Sequence, residues 1–417
     1  MMRRTAWLLT LLTLCAVLPA VAARAQTTKA PHIVEIPDGI GTLLGDYGRA
    51  FQQKNRDLLA RTLAPALAEK ELRAFDNARD VPFKDFRVEP STQFSGNLAY
   101  HRVRAQYPGQ EVMTFQVTEK TALDIESLAY EEDGAYTFVR DGPASGDPYD
   151  GWRLTSKSDL DVIAFFSPYH LWDAGPVSVL RSDHFVLLTH PEVVDEMRPA
   201  IDLAERAYAK ATSFWPRQVN ERYVVLVPAS TKELGDMMHT TLDLGKFVAF
   251  VSGGADQENG WVPTGPRVFI HLSHLRNYSP EGTLEILAHE LIHAITRPAS
   301  GPHIPVWVEE GLANFGGGEG GRPSHAGDPP LPTEFPSDDR FATGPVNDIV
   351  RMYDQSQVAI QVLDDKFGRE ALARFYEALG SARVVAGNDD YHVRKAITDT
   401  LDWTEEQWIA AWRERLG

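Results

Sequence analysis

The chain has 417 residues, 43% of them apolar and 24% charged, which is enough to bury a core and unlike a disordered or fibrous sequence. Its 58 Asp and Glu outweigh 41 Lys and Arg, for a formal charge of −17. A surface that acidic repels phosphate backbones, so nucleic acid is not an expected partner. The length suggests two domains.

The opening Met1-Met2-Arg3-Arg4, the apolar run Ala6 to Ala22 and the tripeptide Ala23-Arg24-Ala25 form the basic start, apolar middle and small-residue cleavage site of a secretory signal. Cleavage near Ala25 would give a secreted chain, extracellular or periplasmic, and would remove Cys15, the single cysteine. Without thiols, disulfide staples and thiolate metal sites are excluded, and any metal must be held by His, Asp or Glu. Beyond Ala25 no apolar run approaches the roughly 20 residues that cross a bilayer, so no transmembrane segment is expected in the mature chain.

From Leu43 to Leu63, Leu44, Tyr47, Phe51, Leu58 and Leu59 recur at helical spacing, which predicts one amphipathic helix. After Pro90 the pattern turns to period two. Strands are expected at Ala99 to Gln106, around Met113, Phe115 and Val117, at Leu128 to Glu132 and Tyr136 to Val139 joined by a hairpin at Asp133-Gly134, and at Trp152 to Thr155 after Asp150-Gly151. A helix followed by an antiparallel meander resembles the cone-shaped nuclear transport factor 2-like fold. The resemblance implies an accessory domain over residues 26–165 that binds a ligand or partner; no clustered catalytic set is read there.

Residues 166–176, with Pro168, Gly175 and Pro176, read as a linker. Strands and helices then alternate over 177–417: strands at Phe185 to Thr189, Arg222 to Val227, Phe247 to Val251 and Val268 to Leu272, and helices at Val193 to Phe214 and Thr231 to Asp243. The expected fold class is therefore α+β. A chain starting near Val177 is expected to keep its metal site if it folds. Gly316 to Pro345 reads as a long surface loop, with helices at Tyr353 to Gly380 and Thr404 to Leu416.

Ser279-Pro280-Glu281 starts a helix well and Arg297-Pro298 stops it. Between them lies His289-Glu290-Leu291-Ile292-His293. Two imidazoles four residues apart share one helix face within reach of a single cation, and Glu290 projects beside them, placed to take a proton from a water polarised by the metal. Such a site needs one more protein ligand, and Trp307-Val308-Glu309-Glu310-Gly311-Leu312-Ala313 follows. Here the sequence resembles the gluzincin zinc metallopeptidases, in the aminopeptidase-like branch with its Trp-x-x-Glu-Gly-x-Ala segment.

The resemblance implies zinc as cofactor, Glu310 as third ligand after His289 and His293, Glu290 as general base, and Tyr353 as the hydroxyl that stabilises the oxyanion at the start of the next helix. It implies a strand-rich upper half and a helical lower half, acting on a peptide or protein substrate. Two departures matter. The Gly-x-Met-Glu-Asn strand that holds a free amino terminus is missing, with Gly253 to Asn259 its nearest and poor match, so cleavage inside a chain is expected unless Glu258 or Glu309 replaces the lost carboxylate. Asn314 stands where thermolysin-like relatives have an aspartate that orients a zinc histidine. An aminopeptidase and a catalytically silent, zinc-stabilised binding protein are the alternatives. His271 and His274 read as partly exposed strand-end residues, and His303 and His325 as loop residues without a role.

Overall fold

The computed structural model of the chain describes residues 36–90, 97–142, 146–161, 166–219, 222–239, 248–253, 255–256, 262–263, 265–318, 323–382 and 389–417. The signal-like segment lies outside the described residues, as do Glu258 and the end of the helix expected up to Asp243.

The stretch predicted as one helix is two. Lys54 enters the left-handed region (φ 52°) and closes α1 (Asp38–Gln53), and the Asn55 side chain accepts a hydrogen bond from Leu58 N to begin α2 (Arg56–Thr62). A third helix, α3 (Pro65–Asn77), follows, started by proline at its first position. Then come β1 (Phe83–Pro90), α4 (Asn97–Gln106), β2 (Glu111–Leu123), β3 (Tyr130–Arg140) and β4 (Trp152–Ser156), the four strands forming one antiparallel sheet in chain order.

Two sequence expectations fail here for identifiable reasons. Ala99 to Gln106 is helical, because Val103 and Tyr107, one turn apart, pack into a single apolar patch with Val112 and Val139. Asp133-Gly134 is no turn: both residues sit inside β3, opposite Thr118 and Val117. The glycine answers a different need, since a Cβ there would lie 2.7 Å from Pro168 Cδ of a crossing segment. The Asp150-Gly151 turn is present, both residues at positive φ.

That crossing segment is the stretch read as a linker, and it is packed. The Ser167 hydroxyl bonds both the N–H and the carbonyl of Ala135 at 3.0 Å, and a short helix, α5 (Leu171–Ala174), buries Leu171 and Trp172.

The second sheet contains β5 (Ser178–Arg181) and β6 (Phe185–Thr189), followed by α6 (Val194–Phe214), then β7 (Tyr223–Val227), α7 (Thr231–Met238), β8 (Ala249–Ser252), the two-residue pair β9 (Ala255–Asp256) and β10 (Val262–Pro263), and β11 (Arg267–Ile270). Its order is β5-β6-β7-β11-β8, with β6, β7 and β11 parallel and antiparallel strands at both edges. The helical part comprises α8 (Leu272–Leu275), α9 (Pro280–Thr296), α10 (Val306–Gly317), α11 (Asp338–Thr343), α12 (Val346–Phe367), α13 (Arg369–Gly380), α14 (Asp389–Leu401) and α15 (Glu405–Leu416). The chain is thus an α+β protein. The long loop expected from Gly316 begins later and is interrupted, since α10 runs to Gly317 and α11 lies within it. Among the described residues, no helix is long and apolar enough to cross a membrane.

Strands apolar on both faces must be covered on both. Phe185, Leu187, Val225, Val268 and Ile270 face α6 and α9. Val186, Leu188, Val224, Leu226, Phe250 and Phe269 instead join one apolar cluster with Tyr47, Phe86, Tyr136 and Trp172 of the N-terminal layer. At about 1.5–3 kcal/mol for each buried side chain, that second face is worth on the order of 10 kcal/mol. A chain beginning at Val177 would leave it wet. Such a truncation is expected to aggregate or to lack a cooperative melt; a soluble 177–417 chain with a sharp calorimetric transition would refute this.

Inside the N-terminal layer the structure assembles a polar cluster that the sequence did not reveal. The buried Lys157 ammonium lies 3.7 Å from Glu71 and 3.4 Å from Glu119, Tyr47 donates to Glu71 (2.6 Å), Tyr136 donates to Glu119, and His170 Nε2 is 3.0 Å from Glu119. Burial pushes the Glu119 carboxyl up, but Lys157, His170 and Tyr136 outweigh it and hold it at about 2. Because this value is lower than the ordinary 4.5, the stability gained is full above pH 4.5 and is lost as the pH falls towards 2. Urea titrations from pH 7 to 2 should show the stability advantage of wild type over Glu119→Gln shrinking by about 3 kcal/mol within that window. A pH-independent difference would contradict the assignment.

Candidate metal centre

Ser279 accepts a hydrogen bond from Gly282 N at 3.2 Å and Pro280 takes the first helical position, so α9 starts as its sequence dictates. From Ile286 to Thr296 every residue is buried. Seven of these eleven are apolar. The three ionisable side chains, His289, Glu290 and His293, are thereby placed in a core that penalises them unless something pairs with them.

The pairing comes from α10. His289 Nε2 and His293 Nε2 lie 3.1 Å apart, and Glu310 Oε2 lies 3.3 Å from the first and 3.7 Å from the second. Donor atoms about 2.0–2.1 Å from a tetrahedral ion are themselves about 3.3 Å apart, so the observed triangle has the size of one face of such a site. Two imidazoles and a carboxylate, with no thiolate, suit a borderline divalent cation. These three residues could hold a metal ion.

Close approach of the helices makes the triangle possible, and glycine permits it. On α10, a Cβ at Gly317 would lie 2.5 Å from the His289 backbone nitrogen, and one at Gly311 would lie 2.6 Å from the Ser356 carbonyl oxygen on α12. With backbone on the other side, neither contact can be relieved by turning a side chain.

Burial dominates the electrostatics. It raises the Glu290 carboxyl to about 8, with the nearby Glu310 charge adding to the effect and His289 opposing it. It also pushes Glu310 up, yet the His293 and His289 imidazoles more than reverse this and leave Glu310 at about 2. Burial draws both imidazoles down; His293 stays below its ordinary value, whereas the bond to Glu310 and the flanking carboxylates carry His289 above it. Asn314, hydrogen-bonded to His289, supports the same form of the ring.

The structure therefore brings together four of the five residues singled out from the sequence. Glu309, adjacent to Glu310 in sequence, is buried but is no member of the group that could hold a metal ion; burial raises it to about 8, with Arg297 opposing. Tyr353 does not open its helix. It lies two turns inside α12, fully buried and edge-on to Phe341 at 5.4 Å. His271 is buried, not exposed, and bonds Thr231 Oγ1 at 2.7 Å. His303 is also buried and stacks on His392 at 4.1 Å, while His325 pairs with Asp328. Arg297, read from the sequence only as a helix stop, donates to the Gly253 carbonyl at 2.6 Å and so ties the end of α9 to the end of β8. Its position directly after the motif helix was the one available signal.

The chain matches no protein-family model and no curated protein sequence.

His289→Ala, His293→Ala and Glu310→Ala should each lose bound metal, because a three-ligand site has no reserve. Gly317→Ala, which touches no ligand atom, should weaken binding by about 10- to 100-fold by pushing α10 off His289. Competition titration with a chromophoric chelator measures both effects. Wild-type affinity in all four variants would remove the site.

Proposed function

We propose that the protein is a secreted zinc-dependent peptidase of the gluzincin kind, with His289, His293 and Glu310 as metal ligands. The observation that carries this reading is the buried triangle of three donor atoms with the Glu290 carboxylate beside it, in a helix otherwise built of apolar residues. A divalent ion held there would supply Lewis acidity, polarising a scissile carbonyl and making water more acidic.

The chain's own groups then divide the remaining work. Glu290 takes the proton of the attacking water and returns it to the leaving amine, a role suited to a carboxyl whose burial brings it near neutral pH. Tyr353 is the proposed hydroxyl donor to the oxyanion. An extended peptide would pair with the outer edge of β8, which has β11 as its single partner among the described residues. Backbone pairing is indifferent to chain ends, which favours internal cleavage over aminopeptidase action. A degenerate binding scaffold would have no use for Glu290, and this weighs against the silent alternative. The N-terminal layer, with three helices before a curled antiparallel sheet, supports its likeness to nuclear transport factor 2-like domains.

The test exposes the protein to a diverse peptide mixture with and without chelator and maps cleaved bonds by mass spectrometry. Chelator-sensitive cleavage is expected, at equal rates for free and acetylated amino termini. Glu290→Gln should keep its metal and lose activity by about 10²-fold or more. No cleavage by the metal-loaded chain, or an active Glu290→Gln variant, would overturn the reading.

A further inference from the structure

The edge strand β8 is only four residues long, and its last rung is held from both sides. Ser252 pairs with Arg267 in the β8–β11 register. Both members of that pair are gripped by one segment of the N-terminal layer, residues 121–130. Tyr130 Oη lies 3.0 Å from Ser252 Oγ. Arg267 donates from Nε and Nη2 to the two oxygens of Glu126, each at 2.9 Å, and from Nη2 to the Thr121 carbonyl at 3.1 Å; its guanidinium lies 4.7 Å from the centre of the Tyr130 ring. Gly265, just before β11, donates to the Ala129 carbonyl at 3.0 Å and sits so close that a Cβ would be 2.5 Å from the Leu128 carbonyl oxygen. One residue beyond Ser252, the Gly253 carbonyl accepts from Arg297 at the end of the metal-bearing helix.

We infer that the N-terminal layer buttresses the substrate-binding edge, with Tyr130 and Glu126 acting as positioning residues that hold β8 in register for an extended peptide backbone. The inference rests on the peptidase reading for the identity of the ligand. Its physical content is preorganisation: an incoming strand gains backbone hydrogen bonds but must meet an edge that is already ordered, and a frayed edge would add its own ordering cost to binding. Glu126 and Arg267 form a buried bidentate ion pair that fixes the base of β11. Tyr130 carries the same fixation across to β8 through a single hydroxyl. The N-terminal layer thus acts on substrate through β8 and touches no reacting atom.

Removing one partner of the buried ion pair would strand a charge and risk unfolding, so the test deletes hydroxyls instead. Tyr130→Phe, Ser252→Ala and the double variant are compared with Thr114→Val, which breaks a hydroxyl pair with Thr137 within the first sheet. Hydrogen exchange of the β8 amides that pair with β11 should speed up by about threefold to tenfold in Tyr130→Phe, no further in the double variant, and not at all in Thr114→Val. Exchange in α9 should stay unchanged. KM for an internally cleaved peptide should rise by a similar factor with kcat and metal content unaltered. Unchanged β8 exchange, a rise shared equally by α9, or faster β8 exchange with unchanged KM would each overturn the inference. A wild-type chain that cleaves no peptide refutes the peptidase reading; the exchange arm still judges the buttress on its own.

Discussion

Burying two imidazoles and two carboxylates in the crossing of two apolar helices is the constraint around which this protein is arranged. Each of those groups costs several kcal/mol to remove from water when alone, and the cost is offset only if their donor atoms converge. Convergence requires α10 to lie almost against the backbone of α9, which Gly317 permits, while Gly311 lets α12 close on α10 from the other side. The same close packing excludes water, and this raises Glu290 to about 8 while the imidazoles hold Glu310 at about 2. Two carboxylates some twenty residues apart in sequence are thus pushed in opposite directions by one environment, one towards accepting protons near neutrality and the other towards permanent charge.

The sheet beneath the site imposes a second requirement. Its strands are apolar on both faces, so the helices α6 and α9 cover one side and the N-terminal layer must cover the other. Phe250 and Phe269, cross-strand partners stacked at 5.2 Å, mark the centre of that second interface. The supposed linker is part of the cover, with Ser167 and Trp172 locked into it. The N-terminal layer is therefore an outer wall of the core that supports α9, and its contacts with Ser252 and Arg267 fall on the paired strands β8 and β11.

The polar cluster around Lys157 belongs to the same economy of burial. Glu71, Glu119 and His170 come from α3, β2 and the segment before α5, so no sequence window contains them together. Every charged member faces an opposite charge or a tyrosine hydroxyl, which is the condition for tolerating such groups in an apolar interior. It binds the crossing segment to the first sheet and thereby helps to hold the two layers together.

Local chemistry was legible in the sequence where local rules decide the outcome. The start of α9 follows from Ser279 and Pro280, the common face of His289 and His293 follows from helical spacing, and the strands at Phe185 and Tyr223 follow from their apolar runs. Spacing alone could not rank Glu309 against Glu310, because adjacent helical residues differ only in the direction they face; the resemblance of the Trp-x-x-Glu-Gly-x-Ala segment pointed to Glu310, and the packing of α10 on α9 groups Glu310 with the two histidines. Glycine was ambiguous for the same reason: Gly134 reads as a turn, yet it serves to let Pro168 pass, a contact with a segment over thirty residues away. The Ala99 to Gln106 stretch became a helix because one patch of the first sheet accepts Val103 and Tyr107 together, information that no local period contains. The sequence by itself determined which residues could bind a metal and on what helix they lie; only tertiary packing decided that their donor atoms converge, which face of the sheet the N-terminal layer must cover and which of its residues reach β8, because those outcomes depend on the distances between elements that the chain order leaves free.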